Sequence, residues 1–490
     1  MEGRQLKAQR EGGAMTLRAQ RFRLAATIAF MLELLSLLSG LGAREGFGLV
    51  TQGQADCTIT VQQGESIQGV IDVAQEGAVI CLEAGVWEEN IEIQKSITLR
   101  GAGQEQTIIK GIQPGVPIIN IQGDQAIKVT VADFTVTEAK PYGKEHNCAW
   151  PQGPTWICPN GIAVRGAVGV EVRNMLISSN SSDGIWAMDS AQVAVFDTVI
   201  FDNASSCVGT CMGIDMSDSA QVTVYNSIIS KNRMVGITVR DSAKAIITNS
   251  EISSNGEVGL LMRDSAVVSL IGSTISDNRW GGLWVDDSAV VSLSDSVVSD
   301  NKWVGISALG FASVSLSSSI VSSNGWVGLG VLDSATVSLA DSTVSNNMFG
   351  LGVFDLASIS LARSTISDNV GYGLGIGDFA HVEVHKSTIV GNGTAEDCAG
   401  RDWFCNGITA SGESQVTITE SQIINNADWG LAAILSQCGY SRDVFFGTVI
   451  LDDKTVIEGN NTTGNQNGMG NPGSHPWNRP EVSDGQVCLP

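Results

Sequence analysis

Two aspartates, Asp183 and Asp215, are the residues of this chain that could act as a catalytic acid and base. Hydrolysis of a glycosidic bond needs two carboxyl groups, one to protonate the leaving oxygen and one to activate water or attack the sugar. Among the many acidic residues, only these two are placed near the predicted binding surface described next. They are therefore candidates for a polysaccharide hydrolase, lyase or epimerase, and the pattern assigns neither of them a role.

A row of aromatic residues recurs two positions after a repeated asparagine. Its members are Trp280, Trp303, Trp326 and Phe349. Trp284 lies on the segment that follows, at a position that later repeats fill with Ser307, Gly330, Gly352 and Gly375. Aromatic faces beside a floor of glycines are suited to stacking on sugar rings. The five aromatic residues are predicted to bind a glycan; alternatively, the rings pack on one another and shield the turn.

A third set that could do chemistry is a series of aspartates, each followed by a serine. They are Asp218, Asp241, Asp264, Asp287 and Asp333. Like charges stacked about 5 Å apart repel one another, and a cation would relieve that repulsion. Calcium is therefore a hypothesis, with Asp241, Asp264 and Asp287 as candidate ligands, although calcium requires several converging oxygens. The alternative is a solvated turn whose charge is offset by Arg240 and Arg263, and no other cofactor is expected.

A 23-residue repeat must position all of these residues. Its clearest marker is an asparagine at constant spacing, at Asn232, Asn255, Asn278, Asn301, Asn324 and Asn347. Each repeat holds three short segments in which apolar residues alternate with small or polar ones, as in β-strands. This period indicates a solenoid whose coils bury their apolar faces only against their neighbours. Asparagine tolerates left-handed backbone, and its amide can bond to the copies in the coils above and below.

Runs of the form S-x-I/V-S-x-N-x-x-x-G-L/I-x-V, such as Ser273–Val285 and Ser296–Gly305, carry a family resemblance. The repeat resembles that of the pectin-lyase-like superfamily, over roughly residues 57–465. The resemblance implies an all-β, right-handed, single-stranded parallel β-helix. It implies no single activity, because the superfamily holds lyases, hydrolases, esterases, epimerases, adhesins and accessory proteins.

The enzyme motifs of that superfamily do not decide the activity. No histidine stands between two glycines, as a polygalacturonase-like site would require. The bases that a pectate-lyase-like site needs are scattered, at Arg279, Lys302, Arg363 and Lys386. No esterase-like cluster of two carboxylates with arginine and glutamine on neighbouring strands is expected.

The net charge limits the possible partners. With 28 basic and 51 acidic residues, the chain carries a net charge of −23. Such a protein should repel nucleic acids and anionic lipid surfaces. It should also repel polyuronates, unless a divalent cation bridges the charges.

Four regions are predicted along the chain. Residues 1–44 read as a signal peptide or N-terminal anchor, because three arginines precede the apolar segment Leu24–Ala43. Residues 45–112 form a cap and the first coils, with a capping helix at Glu65–Gln75 whose apolar face holds Ile67 and Ile71. Residues 113–436 form the repeats, and residues 437–490 the last coil and C-terminal tail. The protein is thus expected to be secreted, periplasmic or at the cell surface, with no other membrane contact.

Ten cysteines support that location, since an even number in an exported chain favours disulfides. The expected pairs are Cys57 with Cys81, Cys148 with Cys158, Cys207 with Cys211, Cys398 with Cys405, and Cys438 with Cys488. Three of these pairs sit in insertions that interrupt the repeat after the asparagine position, so the three loops should emerge from one side of the solenoid. Loops on one side often frame a binding surface.

The sequence therefore supports three hypotheses about function. The first is an exported binding or structural protein with a carbohydrate-contact face, whose partner is a polysaccharide or cell-surface glycan. The second is an enzyme that acts on a neutral or cationic polysaccharide. The third is an adhesin-like or periplasmic accessory scaffold.

Overall fold

A computed structural model of the chain describes residues 56–123, 126–142, 158–204, 212–393, 405–433 and 445–460, with the backbone of 481–482 and 488–489. The fold belongs to one compact unit, Cys57–Pro490. The predicted signal or anchor segment lies outside the described residues. No helix among the described residues is long and apolar enough to cross a membrane.

The unit is a parallel β-helix, as predicted, and its described residues form three sheets of 17, 15 and 15 strands. Sheet 1 contains Ile59–Val61, Val79–Leu82, Ile97–Arg100, Lys128–Ala132, Gly169–Arg173, Gln192–Phe196, Gln221–Tyr225, Lys244–Thr248, Val267–Ile271, Val290–Ser294, Ser313–Ser317, Thr336–Ala340, Ser358–Ala362, His381–His385, Gln415–Thr419, Thr448–Leu451 and Glu481–Val482. Sheet 2 contains Gly85–Glu88, Thr107–Lys110, Thr135–Thr137, Leu176–Ser178, Val199–Phe201, Ile228–Ser230, Glu251–Ser253, Thr274–Ser276, Val297–Ser299, Ile320–Ser322, Thr343–Ser345, Thr365–Ser367, Thr388–Val390, Gln422–Ile424 and Val456–Glu458. Sheet 3 contains Ile91–Ile93, Ile119–Gly123, Ile162–Gly166, Ile185–Ala187, Met212–Met216, Val235–Val239, Val258–Met262, Gly281–Val285, Val304–Ala308, Val327–Val331, Phe349–Val353, Leu374–Ile376, Ile408–Ala410, Leu431–Ala433 and Cys488–Leu489.

One coil takes the chain through sheets 1, 2 and 3 in turn, and each strand pairs in parallel with its counterpart in the next coil. In sheet 1, for example, Val267–Ile271 pairs with Val290–Ser294. Alternate residues point inward, so Val268 and Leu270 are buried in a core that runs the length of the solenoid. The period-2 apolar pattern thus reflects which side chains reach this core.

The turn between sheets 2 and 3, here called the asparagine turn, is held by the predicted amide ladder. Each side-chain Nδ2 donates to Oδ1 of the asparagine in the following coil. The ladder runs through Asn180, Asn203, Asn232, Asn255, Asn278, Asn301, Asn324, Asn347, Asn369, Asn392, Asn426 and Asn460. These amides are buried, and the ladder satisfies their hydrogen bonds along the solenoid axis.

A second ladder lies at the turn between sheets 1 and 2; its serines open the recurring sequence motif, but their role was not predicted. Buried serines there accept from the backbone N–H of the preceding coil, as Ser296 Oγ does from Ser273 at 3.2 Å. Each hydroxyl also donates to a nearby carbonyl, such as Ser296 to Ser294 at 2.9 Å. The recurrent serine therefore closes this turn in the way that asparagine closes the other.

Both ends of the solenoid are covered. Helix α1, Ile67–Val73, begins at the N-cap Ser66 and buries Ile67 and Ile71 against the first coils, which confirms the predicted capping helix. At the other end, Glu481–Val482 and Cys488–Leu489 pair antiparallel with the last strands of sheets 1 and 3. Capping of this kind protects exposed sheet edges from pairing with another chain.

The predicted disulfide between Cys57 and Cys81 is present, with an S–S distance of 2.11 Å. Cys158 and Cys405 are also disulfide-bonded. Cys148, Cys207, Cys211, Cys398 and Cys438 lie outside the described residues, as does the side chain of Cys488. The pairings proposed for these residues stay predictions.

The three predicted insertions lie largely outside the described residues, but their flanks are described. Each insertion separates a sheet 2 strand from the following sheet 3 strand: Thr135–Thr137 from Ile162–Gly166, Val199–Phe201 from Met212–Met216, and Thr388–Val390 from Ile408–Ala410. All three therefore leave the solenoid at the asparagine turn, on the side that also carries the aromatic row.

Candidate functional site

The outer face of sheet 3 and the adjoining asparagine turn carry the residues predicted to act on or bind a ligand. Its central outward row, read along the axis, is Ala163, Trp186, Asp215, Thr238, Leu261, Trp284, Ser307, Gly330, Gly352, Gly375 and Thr409. The flanking residues of each strand point into the core, as Ile214 and Met216 do beside Asp215. Parallel register therefore places Asp215 and Trp284 on one surface, three coils apart.

Asp183 and Asp215 are brought together at the N-terminal part of this face, and Arg240 joins them. Arg240 Nη2 lies 2.6 Å from Asp215 Oδ2, and the arginine side chain is about one-third exposed. Asp183 Oδ1 accepts a 2.8 Å hydrogen bond from the Met212 backbone N–H. The two aspartates are only 2% and 1% exposed. We call Asp183, Asp215, Thr238 and Arg240 the carboxyl cluster.

Burial dominates the electrostatics of this cluster. It raises the pKa of Asp183 well above the ordinary value, and the neighbouring charge of Asp215 raises it further. Burial also raises the pKa of Asp215 to about 6, against the opposing effect of the Arg240 guanidinium. The Arg240 guanidinium lowers the pKa of both carboxyl groups, but burial outweighs it at each of them.

Unpartnered polar atoms concentrate at the same place. Five buried side-chain N or O atoms of the described residues lack a hydrogen-bond partner, and four belong to this part of the face. They are Asn160 Nδ2, Ser182 Oγ, Asp215 Oδ1 and Thr238 Oγ1. Buried polar atoms normally have partners, because leaving one unpaired costs about 1–3 kcal/mol. Such a concentration is typical of a functional site, where it serves a ligand or water.

The buried carboxyl groups predict that stability depends on pH. Because both pKa values are raised, the folded state binds more protons than the unfolded chain above about pH 4. Their contribution to stability is complete below that pH and is lost as pH rises through the folded values, about 6 for Asp215. Urea unfolding measures the free energy of unfolding at each pH. Between about pH 4 and pH 8, this free energy should fall in the wild type relative to an Asp183→Asn/Asp215→Asn variant. A difference that stays constant with pH would contradict this prediction.

The aromatic row divides into an exposed part and a buried part. Trp280, Trp303 and Trp326 are 56%, 66% and 45% exposed at equivalent positions of successive coils. We call these three residues the tryptophan stripe. Trp284 is half-buried, on the outward row beside Leu261 and Ser307.

Phe349 does not join the stripe, so its inclusion was wrong. It is 6% exposed and pairs in register with Val327 rather than with Trp326. The coil from Asn347 to Asn369 has 22 residues, and its asparagine turn is one residue shorter than that of the preceding coil. Phe349 consequently starts a strand and packs against Trp326 and Tyr372, with ring centroids 5.4 and 4.5 Å away.

The predicted open floor of glycines is also partly wrong. A Cβ built on Gly375 would lie 2.6 Å from Tyr372 Cζ, and one on Gly352 would lie 3.2 Å from Phe354 Cε2. Gly352 and Gly375 are buried because these two rings lie over them. Only Gly330 keeps open space above it, with its nearest neighbour at 3.7 Å.

The aspartate series forms a hydrogen-bonded ladder at the turn between sheets 3 and 1. Asp264 Oδ2 accepts from the backbone N–H of Asp241 at 3.2 Å, and Asp287 Oδ2 accepts from that of Asp264 at 3.1 Å. The three candidates adopt the left-handed backbone, with φ of 57–59°. Among the described residues, no three carboxylate, histidine or cysteine side chains lie close enough to hold a metal ion. The ladder serves the turn, and calcium binding stays a prediction.

Two contacts of the site were missed in the sequence. Arg240 was expected to offset the charge of its neighbour Asp241, but it pairs instead with Asp215, 25 residues away. Two carboxylates and an arginine are thereby clustered, and no glutamine accompanies them among the described contacts. Arg165 lies over the Trp186 ring at 5.6 Å. Both contacts join residues of adjacent coils, so only the register of sheet 3 could have indicated them.

Comparison with known proteins identifies the family. The chain matches the family described as "Right handed beta helix region" over residues 119–232, 160–318, 212–354 and 281–445, together about two thirds of its length. No curated protein matches it.

Several solved structures show a distant similarity to the chain. The mannuronan C-5 epimerase AlgE4 A-module of Azotobacter vinelandii is 17% identical, covering 66% of this chain and 90% of its own, with a TM-score of 0.40. The periplasmic alginate epimerase AlgG is 12% identical over 82% of this chain and 83% of its own, with a TM-score of 0.42. Similarity at this level says nothing about substrate or reaction. The repeats, the three parallel sheets and the family match lead to one conclusion: the chain belongs to the right-handed parallel β-helix family.

Proposed function

We propose that this protein is an exported glycan-binding protein that holds a polysaccharide along the asparagine-turn side of sheet 3. The observation that carries the proposal is the tryptophan stripe, three large aromatic side chains about half exposed in consecutive coils. Adjacent coils lie about 4.8 Å apart, so the stripe extends about 10 Å along the axis. That arrangement offers successive rigid aromatic faces to an extended ligand.

The exposure of the stripe favours binding over a purely structural role. Side chains that served only to shield the turn would bury their rings against one another, as Phe349 does between Trp326 and Tyr372. Trp280 and Trp303 instead keep more than half of their surface in contact with water. Large exposed aromatic side chains grouped on successive coils in this way support an interaction site.

The rim of the stripe supplies the polar groups that a sugar ligand requires. Lys302 precedes Trp303, and its Nζ lies 3.5 Å from Asp277 Oδ1, with both side chains more than half exposed. Carbohydrate sites combine stacking faces with a few polar groups that fix orientation. The partner is therefore a polysaccharide or cell-surface glycan, bound outside the cytoplasm, where the Cys57–Cys81 disulfide is stable.

Substitution of the central tryptophan tests this proposal. Trp303→Ala should weaken binding of the recognised polysaccharide about tenfold, because a stacking ring contributes on the order of 1–1.5 kcal/mol. Titration of intrinsic fluorescence against a panel of neutral and acidic polysaccharides, with and without calcium, measures the effect.

The matched control is Phe311→Ala. Phe311 is more exposed than any stripe residue but lies at the turn between sheets 3 and 1. Its removal should leave affinity unchanged. Equal losses in the two variants, or a flat response to every polysaccharide, would refute a glycan-binding stripe.

A further inference from the structure

The carboxyl cluster and the tryptophan stripe lie on the same side of the solenoid, three coils apart. Between Asp215 and the coil of Trp280, sheet 3 advances by three strands: Val235–Val239, Val258–Met262 and Gly281–Val285. That distance is about 14 Å along the axis. The outward row between the two places holds Thr238 and Leu261 and ends at Trp284, with no charged side chain in the row. A chain stacked on the stripe and extended along the axis therefore comes to the coil of Asp215, whose carboxyl group lies beneath the surface.

The cluster holds two carboxyl groups in unlike environments. Asp215 Oδ2 is fixed by Arg240 at 2.6 Å, while its buried Oδ1 has no partner. Asp183 has one carboxyl oxygen on a backbone N–H and is almost wholly buried. When the surroundings of two titratable groups push their pKa values apart, the groups are suited to act as an acid and a base with separate roles. Thr238 Oγ1, also buried and unpartnered, is in register with Asp215 on the next strand and adds a hydroxyl that can orient a ligand.

We infer that the carboxyl cluster is a catalytic site that hydrolyses a glycosidic bond of a glycan held on the stripe, with Asp183 as proton donor and Asp215 as the base. This inference rests on the proposed function. Asp183 gives its proton to the glycosidic oxygen as the bond from that oxygen to the anomeric carbon breaks. Asp215 takes a proton from water, and the water oxygen bonds to the anomeric carbon. One water is consumed, and the products are a hemiacetal and an alcohol. The proton that Asp215 took from water then passes through solvent to Asp183, which restores the starting state.

Arg240 acts as a positioning residue in this scheme. Its guanidinium holds Asp215 Oδ2 and leaves Oδ1 for the water. It is also the partly exposed member of a cluster whose carboxyl groups are covered, so in this scheme the cover over Asp215 must open before the glycosidic bond reaches Oδ1.

The full chain tests the inference on the polysaccharides that bind the stripe and on the rest of the same panel. Release of reducing ends in ¹⁸O-labelled water detects hydrolysis, because the label enters the new hemiacetal. Asp183→Asn and Asp215→Asn should each lower the rate of release at least about a hundredfold. Binding on the stripe should be unchanged in both variants, and the thermal midpoint of Asp183→Asn should be unchanged or raised, since the substitution removes one of the two buried acids and keeps an oxygen that can accept from the Met212 N–H. The control Asp295→Asn removes an exposed turn aspartate and should leave the rate unaltered.

The results separate the two claims because binding and turnover are read independently. Binding that depends on Trp303 without release of labelled reducing ends overturns the catalytic site and leaves the proposed function standing. Retention of activity in Asp183→Asn, or release of an unsaturated product without the label, also overturns it. A panel in which nothing binds and nothing is released overturns both.

Discussion

The triple variant Trp280→Ala/Trp303→Ala/Trp326→Ala is expected to lose glycan affinity by about a thousandfold. Each ring contributes on the order of 1.4 kcal/mol, and three rings on successive coils contribute nearly additively when each contacts a different part of the ligand. The free energy of unfolding should change little, because all three side chains are about half exposed and their removal opens no core cavity. Calorimetric titration with the recognised polysaccharide measures the affinity.

The control for the triple variant removes three other exposed apolar side chains. Phe311, Leu356 and Phe379 project from the turn between sheets 3 and 1 and are each more than half exposed. Their joint replacement by alanine removes a comparable apolar surface and should leave affinity unchanged. Residual binding of the triple tryptophan variant at near wild-type strength would show that the ligand lies elsewhere.

Asn301→Ala is expected to lower the free energy of unfolding by about 3–5 kcal/mol. The amide Nδ2 donates to Asn324 Oδ1 at 2.9 Å and to the carbonyl of Ser299 at 3.0 Å. Its Oδ1 accepts from both the backbone and the side chain of Asn278, at 3.1 and 3.0 Å. Alanine would leave buried donors and acceptors in two neighbouring coils without partners, which costs more than the bonds themselves contribute.

Chemical denaturation followed by circular dichroism measures this loss. Thr336→Ala, at an exposed position of sheet 1, is the control and should change the free energy of unfolding by less than about 0.5 kcal/mol. An Asn301→Ala variant as stable as this control would mean that the ladder contributes nothing to the stability of the coils. Because repeats depend on their neighbours, the variant should also lower the cooperativity of unfolding.

The regular features were predictable because each is repeated. An asparagine recurs every 23 residues from Asn232 to Asn347, and in the structure these side chains form a hydrogen-bonded ladder. Apolar residues such as Val268 and Leu270 recur with period 2, and they are buried. A pattern present in every coil reports a constraint that every coil shares.

The errors arose where one coil departs from the others or where coils contact one another. Phe349 follows its asparagine by the usual two residues, but the turn is one residue shorter, so the same spacing leads to a different register. Tyr372 covers the glycine at Gly375, and glycine content alone could not show which ring lies above it. The Arg240–Asp215 pair joins residues 25 positions apart, so it depends on sheet register and not on local sequence.

The structure of a complex with an oligosaccharide of the recognised glycan tests the central claim most directly. The account predicts successive sugar rings stacked on Trp280, Trp303 and Trp326, with the chain running along the solenoid axis toward Asp215. Sugar rings bound at the turn that carries Phe311 and Phe379, with the tryptophan stripe bare, would contradict it.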